Sequence, residues 1–286
     1  MKPAWIVRQT SPALLRQCFP LRKPDSHKGD YGRVLLLCGS EGFTGAAAMA
    51  AKAALRTGAG LIFVGVPRRV YPIVAAKLDA PMVFPLPDDD GRLSLAALPE
   101  ILRRLPQMDA VLLGPGLGRS HDLDLLCAEV VRRCRCPLVL DADGINALSG
   151  HIDVLREAAC PLILTPHEGE FRRLTAAAEA DRISGARRLA RELGAVVLRK
   201  GHETVITDGY KTYVNRTGNA GMATGGSGDV LAGMLVSMLG QGVPALEATA
   251  CAAWLHGTAG DCCAAQKGQY GLSPTDLIDT LPYLLP

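Results

Sequence analysis

The residues best equipped for chemistry stand in one run, Asn219-Ala220-Gly221-Met222-Ala223-Thr224-Gly225-Gly226-Ser227-Gly228-Asp229, which leads straight into Val230-Leu231-Ala232-Gly233-Met234. The pattern reads as a glycine loop opening a helix. Bare amides at a helix start, approached closely because glycine has no side chain, bind phosphate oxygens and the charge that develops during transfer. On this reading Gly226, Ser227 and Gly228 form an anion hole. Asp229, in the first helical turn, is placed to take the proton from an attacking hydroxyl while those amides hold the transferred group. The same residues also suit a structural loop whose aspartate caps its helix. The segments after the other apolar runs favour the functional reading.

In open parallel sheets ligands bind beyond the carboxyl ends of the strands. Gly39-Ser40-Glu41-Gly42-Phe43-Thr44-Gly45 comes after Cys38, and Gly114-Pro115-Gly116-Leu117-Gly118 after Leu113. Asp141-Ala142-Asp143-Gly144-Ile145-Asn146 comes after Leu140, Thr165-Pro166-His167-Glu168-Gly169-Glu170 after Leu164, and Lys200-Gly201-His202-Glu203-Thr204 after Arg199. Five loops on one edge thus carry glycines or hydrogen-bonding side chains, as a large anionic ligand requires. A Walker loop is excluded because no lysine comes after the glycines of the main loop. A dinucleotide fingerprint is excluded too, since Gly58-Ala59-Gly60 precedes a strand and Gly114-Pro115-Gly116 has the wrong continuation.

Single residues in these loops admit two readings each. His167, ahead of Glu168 and Glu170, suits a helix-start residue facing solvent as well as a substrate contact. Asp141 and Asp143 suit water-mediated magnesium binding and also turn or cap chemistry. Asn146 is a polar contact to phosphate or metal, or an exposed helix residue. Lys200 suits nucleotide phosphate and also a solvated surface charge. Trp254 and His256 are read as core and surface residues with no assigned role.

The elements that must position these loops are short apolar runs alternating with longer helical stretches, the signature of βαβ units and a mainly parallel sheet. The expected strands are Val34–Cys38, Leu61–Val66, Ala110–Leu113, Leu138–Asp141, Leu162–Thr165, Val196–Arg199, Val205–Thr207 and Thr212–Val214. Most are continuously apolar, so both sheet faces should be covered. Asp208-Gly209 between two β-type runs predicts a hairpin forming an antiparallel edge ribbon. Ala46–Arg56, apolar all round, predicts a helix packed close to the sheet and capped by Gly58. Further helices are expected over Asp229–Leu239, Pro244–Ala265 and Pro274–Leu285, and an exposed loop over Asp88–Arg92.

The chain of 286 residues, 48% hydrophobic against 21% charged, has enough apolar surface for one large core and is read as a single domain over 1–286. A net charge of +3 with scattered arginine pairs gives no nucleic-acid footprint. Nine cysteines, an odd count without zinc-ligand spacing, fit reduced thiols and a cytoplasmic protein. Neither a signal peptide nor a membrane span is expected.

On these residues the sequence resembles the NAD(P)H-hydrate dehydratases of the ribokinase-like superfamily, the carbohydrate-kinase-related type. The resemblance runs from His27-Lys28-Gly29-Asp30-Tyr31-Gly32 to about Asp276. It is carried by Gly114 to Gly118, Asp141 to Leu148, Thr165 to Glu170, Lys200-Gly201 and Gly226 to Leu231. The glycine–aspartate loop marks the superfamily, and the proline–histidine and Asp-Ala-Asp pieces narrow it. The resemblance implies a ribokinase-like three-layer α/β/α sandwich. It implies repair of hydrated NADH or NADPH, with ADP phosphorylating the ring hydroxyl before phosphate leaves, and Mg²⁺ accompanying the nucleotide. Ala46, Gly116, His167 and Asp229 would then contact the hydrated dinucleotide, and Lys200, Gly201, His202, Glu203, Thr204 and Gly228 the adenine nucleotide. Asp141, Asp143, Asn146 and Glu170 are further site candidates. The resemblance also implies a homo-oligomer, a tetramer by preference, linked functionally to a separate epimerase protein, because the leader before His27 is too short for an epimerase domain. The leading alternative is a small-alcohol kinase of the hydroxymethylpyrimidine or hydroxyethylthiazole type. Ser227 and Glu168 stand where threonine and proline are frequent.

Overall fold

The computed structural model describes residues 7–175 and 181–286. Strands β1 (Val7–Gln9), β2 (Arg33–Leu37), β3 (Leu61–Pro67), β4 (Met82–Leu86), β5 (Asp88–Asp89), β6 (Arg92–Leu93), β7 (Ala110–Leu113), β8 (Leu138–Leu140), β9 (Leu162–Leu164), β10 (Val196–Arg199), β11 (Thr204–Thr207) and β12 (Thr212–Asn215) succeed one another in chain order. All but β5 and β6 join one sheet in the order β1-β12-β11-β10-β9-β8-β7-β2-β3-β4. From β10 through β4 every pairing is parallel, and β11 is antiparallel to both of its neighbours.

Alternation along each strand divides the apolar side chains between two cores. On one face Val34, Leu36 and Cys38 pack with the helices Thr44–Arg56, Ser227–Gly240, Ala245–Lys267 and Pro274–Thr280. On the other, Leu35, Leu37, Val111 and Leu113 pack with the helices Leu98–Arg104, His121–Arg133 and Arg182–Leu193. A sheet covered on both faces explains why its strands read as unbroken apolar runs. The alanine-rich helix and the helix after the glycine loop pack so closely that a Cβ at Gly233 would lie 2.1 Å from the Ala50 carbonyl oxygen. This contact fixes the helix that carries Asp229 against the alanine-rich helix.

Three features differ from the sequence expectations. The hairpin around Asp208 and Gly209 forms, with the Asp208 carboxylate accepting from the amides of Tyr210 (2.8 Å) and Lys211 (2.7 Å). The outermost position beyond it, however, belongs to β1, which pairs in parallel with β12. β4 was not anticipated, because Pro85 interrupts it and only Leu86 is fully buried, a pattern tolerated at an edge. Asp88–Arg92, expected as an open loop, is a tight hairpin whose turn residues Asp90 and Gly91 have φ of 45° and 71°. Asp-Gly with two positive φ values is the tight-turn chemistry that the short flanking strands concealed.

Candidate functional site

The carboxyl ends of β2, β7, β8, β9 and β10 converge on the start of the helix Ser227–Gly240. Gly226 is the N-cap, and its φ of 100° is a conformation that favours glycine. The first helical bond runs from the Val230 amide to the Gly226 carbonyl at 3.1 Å. The three amides before Val230 therefore lie outside the helical ladder. That of Ser227 donates to the Thr224 carbonyl at 3.3 Å. The amides of Gly228 and Asp229 meet no carbonyl among the described residues and stay available to an anion. Of the three residues read from the sequence as an anion hole, Ser227 has its amide engaged, while the amides of Gly226 and Gly228 meet no backbone acceptor among the described residues.

Asp229 is half-buried and its pKa is pushed up to about 7, first by desolvation and then by the charges of Asp141 and Asp143, against the pull of Lys200. Asp141 is 1% exposed. Its Oδ1 accepts from Lys200 Nζ at 2.5 Å and from the Thr165 hydroxyl at 2.7 Å. Burial alone would lower the Lys200 pKa, but Asp141, Glu170 and Asp229 outweigh it and hold the ammonium above its ordinary value. Nζ lies 3.5 Å from where a Gly228 Cβ would be, so the cation stands against the glycine loop. One part-buried cation among three acids leaves Asp229 the least compensated carboxyl. That is how a carboxyl acquires a proton affinity near neutrality. Cys38, at the end of β2, feels both Asp229 and Asp141, and its buried thiol is held neutral.

Asp143 sits beyond Ala142, whose φ of 49° turns the chain so that the acids flank it. Its Oδ2 accepts from the Gly118 amide at 2.9 Å and its Oδ1 from Asn146 at 3.3 Å, while Arg173 donates to Asn146 Oδ1 at 2.8 Å. Asp143 and Asn146 thereby tie the β7 and β8 loops to the helix Glu168–Leu174. Ala46 and Gly116 meet face to face, a Gly116 Cβ falling 2.8 Å from that of Ala46, with exposed Phe43 alongside.

His167 is the N-cap of Glu168–Leu174. Its Nδ1 accepts from the amides of Gly169 (2.9 Å) and Glu170 (3.3 Å), and buried Glu170 accepts from the His167 amide at 2.8 Å. With Nδ1 an acceptor, the proton resides on Nε2, which lies 3.3 Å from Glu170 Oε1. The imidazole is half exposed and held in one orientation. Glu168 accepts from Arg199 (2.8 Å) and Arg182 (2.9 Å). The Arg199 hydrogen bond keeps the Glu168 pKa below its ordinary value.

The turn after β10 divides its residues between two directions. Lys200 enters the acid cluster. His202 and Glu203 instead line a cavity of about 570 Å³ together with Arg8, Arg182 and Arg216. Glu203, at φ of 55°, pairs with Arg216 at 3.0 Å, Gly201 packs against the Arg182 guanidinium, and the Thr204 hydroxyl donates to the Gly201 carbonyl. None of the acids around Asp229 lines that cavity.

His256, read from the sequence as a surface residue, is half-buried with its Nε2 turned inward. Its pKa is pushed down to about 4 by desolvation, against a hydrogen bond to the Ser227 backbone and with help from the Lys200 charge. Its Nε2 and the Ser227 hydroxyl are both buried without a partner among the described residues. The helix Ala245–Lys267 is apolar on every side, so no periodicity singled out this position. Arg199 was legible only as a charge ending a buried strand.

No three histidine, cysteine or acidic side chains among the described residues form a metal-ligand set. The carboxylates of Asp141 and Asp143 are already engaged by protein donors. A cation here fits as an ion carried by nucleotide phosphates, and not as one caged by the protein.

A family model described as NAD(P)H-hydrate dehydratase matches residues 34–283. A bifunctional NAD(P)H-hydrate repair enzyme of Moorella thermoacetica is 47% identical, covering 97% of this chain and 54% of that protein. The chain thus spans about half the length of the first curated relatives it matches. An ADP-dependent (S)-NAD(P)H-hydrate dehydratase of Neisseria meningitidis is 36% identical over 85% of this chain and 81% of its own. Among solved structures, a ribokinase-like superfamily protein of Enterococcus faecalis superposes with a TM-score of 0.86 at 28% identity, covering 99% of this chain and 98% of that one. The ADP/ATP-dependent NAD(P)H-hydrate dehydratase of Bacillus subtilis, co-crystallised with ATP and Mg²⁺, gives 0.82 at 29% identity and 98% of both chains. The hydroxyethylthiazole kinase of Pyrococcus horikoshii, at 17% identity and 0.58, shares the fold alone.

Proposed function

Since the chain belongs to the NAD(P)H-hydrate dehydratase family, we propose that it uses ADP to dehydrate the S form of hydrated NADH or NADPH, restoring the reduced dinucleotide and releasing AMP and phosphate. The observation that carries this reading is the Asp229 carboxyl, poised near pH 7 beside amides left free at a helix start. In its ionised form Asp229 accepts the proton of the ring hydroxyl as that oxygen attacks the terminal phosphorus of ADP. The P–O bond to AMP breaks while the amides of Gly228 and Asp229, with Lys200 behind them, hold the phosphoryl oxygens. The phosphorylated ring then loses phosphate, driven by the ring nitrogen lone pair, and the neighbouring C–H proton passes to the departed phosphate as the double bond re-forms. A Mg²⁺ ion on the nucleotide phosphates would add positive charge to the transferred group.

In this reading Ala46, Gly116 and His167 contact the dinucleotide, and Gly201, His202, Glu203 and Thr204 the adenine nucleotide, with Lys200 at the junction. The one-domain organisation, a homo-oligomeric state, residence in the cytoplasm and partnership with an epimerase belong to the same proposal. The relatives named as bifunctional repair enzymes, about half of whose length this chain covers, support a link to a second activity. The test is to incubate the protein with hydrated NADH, Mg²⁺ and either ADP or ATP, and monitor the absorbance of the reduced nicotinamide. Recovery with ADP, with AMP formed in equal amount, is the expected result. No recovery with either nucleotide, or phosphorylation of a pyrimidine or thiazole alcohol instead, overturns the proposal.

A further inference from the structure

The loop after β2 runs into the helix Thr44–Arg56 at the edge where the acids gather. Its shape is set from several sides. The Gly39 amide donates to the Pro115 carbonyl at 2.8 Å, the Ser40 hydroxyl to the Gly116 carbonyl at 2.8 Å and the Glu41 amide to the Gly91 carbonyl at 2.9 Å. Within the loop the Phe43 amide donates to the Ser40 carbonyl at 2.9 Å, and the Phe43 carbonyl accepts from the Ala46 amide at 3.2 Å. Lys77 Nζ donates to the Thr44 hydroxyl at 2.9 Å. Phe43 is thereby held at its root, with its Cβ 2.9 Å from where a Gly116 Cβ would be. The residue is nonetheless 57% exposed. Single exposed apolar side chains are ordinary on a protein surface. A ring fixed at its root beside Ala46 and Gly116 instead presents a flat apolar surface at the rim of the site.

We propose that Phe43 binds and orients the nicotinamide ring of the dinucleotide, an inference that rests on the reading of Asp229 as the base for that ring's hydroxyl. The Met49 side chain lies 2.5 Å from where a Gly226 Cβ would be, so this part of the helix abuts the glycine loop. Ala46 stands three residues earlier, and Phe43, the N-cap, three residues before that. Six residues of helix cover about 9 Å. A ring whose hydroxyl reaches Asp229 can span that gap, whereas the adenine of an extended dinucleotide lies farther out, beyond two sugars and the pyrophosphate. The adenine nucleotide assigned to the turn after β10 is also out of reach, because β10 stands four strands from β2 in the sheet, roughly 19 Å away. A flat heterocycle laid on Phe43 buries apolar surface on both partners. A side chain already anchored by its backbone loses little freedom in holding it.

Calorimetric titration of the whole chain with NADPH, and with reduced nicotinamide mononucleotide, which lacks the adenine half, reads this contact without turnover. Phe43→Ala should weaken both by roughly tenfold. Phe43→Tyr should keep the parent affinities, and ADP should bind every variant as it binds the parent. In the absorbance-recovery assay KM for hydrated NADPH should rise by a similar factor with kcat little changed, a split that loss of structure does not give. Where Phe43→Ala fails to fold, Phe43→Leu, which keeps apolar bulk without a flat face, gives the same comparison with a smaller loss. A parent that binds neither nicotinamide ligand, affinities unchanged by Phe43→Ala, a loss for NADPH that the mononucleotide does not share, or an equal loss for ADP each overturns the inference. Absence of recovery in the parent would strike the proposed activity, while the titrations still decide on Phe43.

Discussion

Glu168 and Asp229 occupy matching places, each an acid in the first turn of a helix that starts beyond a strand at the same sheet edge. Their surroundings drive them apart. Glu168 accepts from two guanidiniums, one of them buried, and its proton affinity falls. Asp229 is half-buried with a single cation nearby that is already committed to Asp141, so desolvation and the Asp141 charge raise its pKa to about 7. Favourable interaction with a helix N-terminus is common to both and decides neither. The number of charged donors that reach the carboxylate makes one acid a tie between elements and leaves the other free to move a proton.

Replacing Asp229 with Asn should have the largest effect, lowering kcat by roughly 10² to 10⁴, the usual span for a positioned base, while nucleotide affinity holds. Calorimetric titration with ADP alongside the rate separates that result from misfolding. Lys200→Met removes the partner of buried Asp141 and should lower unfolding stability by about 3 kcal/mol, read from urea melts. It should also raise the pH at which Asp229 ionises, because Lys200 is the charge that holds that value down.

A smaller effect concerns stability against pH. The folded-state pKa of Asp229 is raised from 3.8 to about 7, so folding favours its protonated form. The stability associated with that proton is complete below about pH 4 and is lost as pH rises through 7. The stability advantage of Asp229→Asn over the parent, read from urea melts, should therefore grow by about 1.4 kcal/mol per pH unit across this window and level off above it. A constant difference would remove the raised pKa. Smallest is Glu168→Gln, expected to cost about 1 kcal/mol because Arg199 keeps the Arg182 carbonyl at 3.2 Å. The pH dependence of turnover should not move. A moved profile would mean that the two acids are not separate in function.

Much of this contrast was open to reading in the sequence, and some was not. Apolar runs ending in glycine or acid gave the parallel strands and the edge where Asp229, Asp141 and Lys200 converge, because a sheet buried on both faces leaves little ambiguity of pattern. β1 and β4 were hidden, the first by three exposed residues and the second by Pro85. His167 was visible as a helix start, yet the two amides held by its Nδ1 belong to the folded turn alone. The Lys200–Asp141 pair joins residues 59 apart in the chain, and no local spacing announces it. His256 was lost in an evenly apolar helix, where only packing reveals that its ring sits beneath the glycine loop.

The pH dependence of kcat/KM for hydrated NADH, compared between the parent and Asp141→Asn, tests the central claim most directly. The parent should show a rising limb near pH 7. Removing Asp141 withdraws the carboxylate that raises the Asp229 pKa and releases Lys200 to lower it, so the limb should shift to lower pH. A parent limb in the ordinary carboxylate range near pH 4, or one unmoved by Asp141→Asn, would contradict the assignment of Asp229 as the poised base.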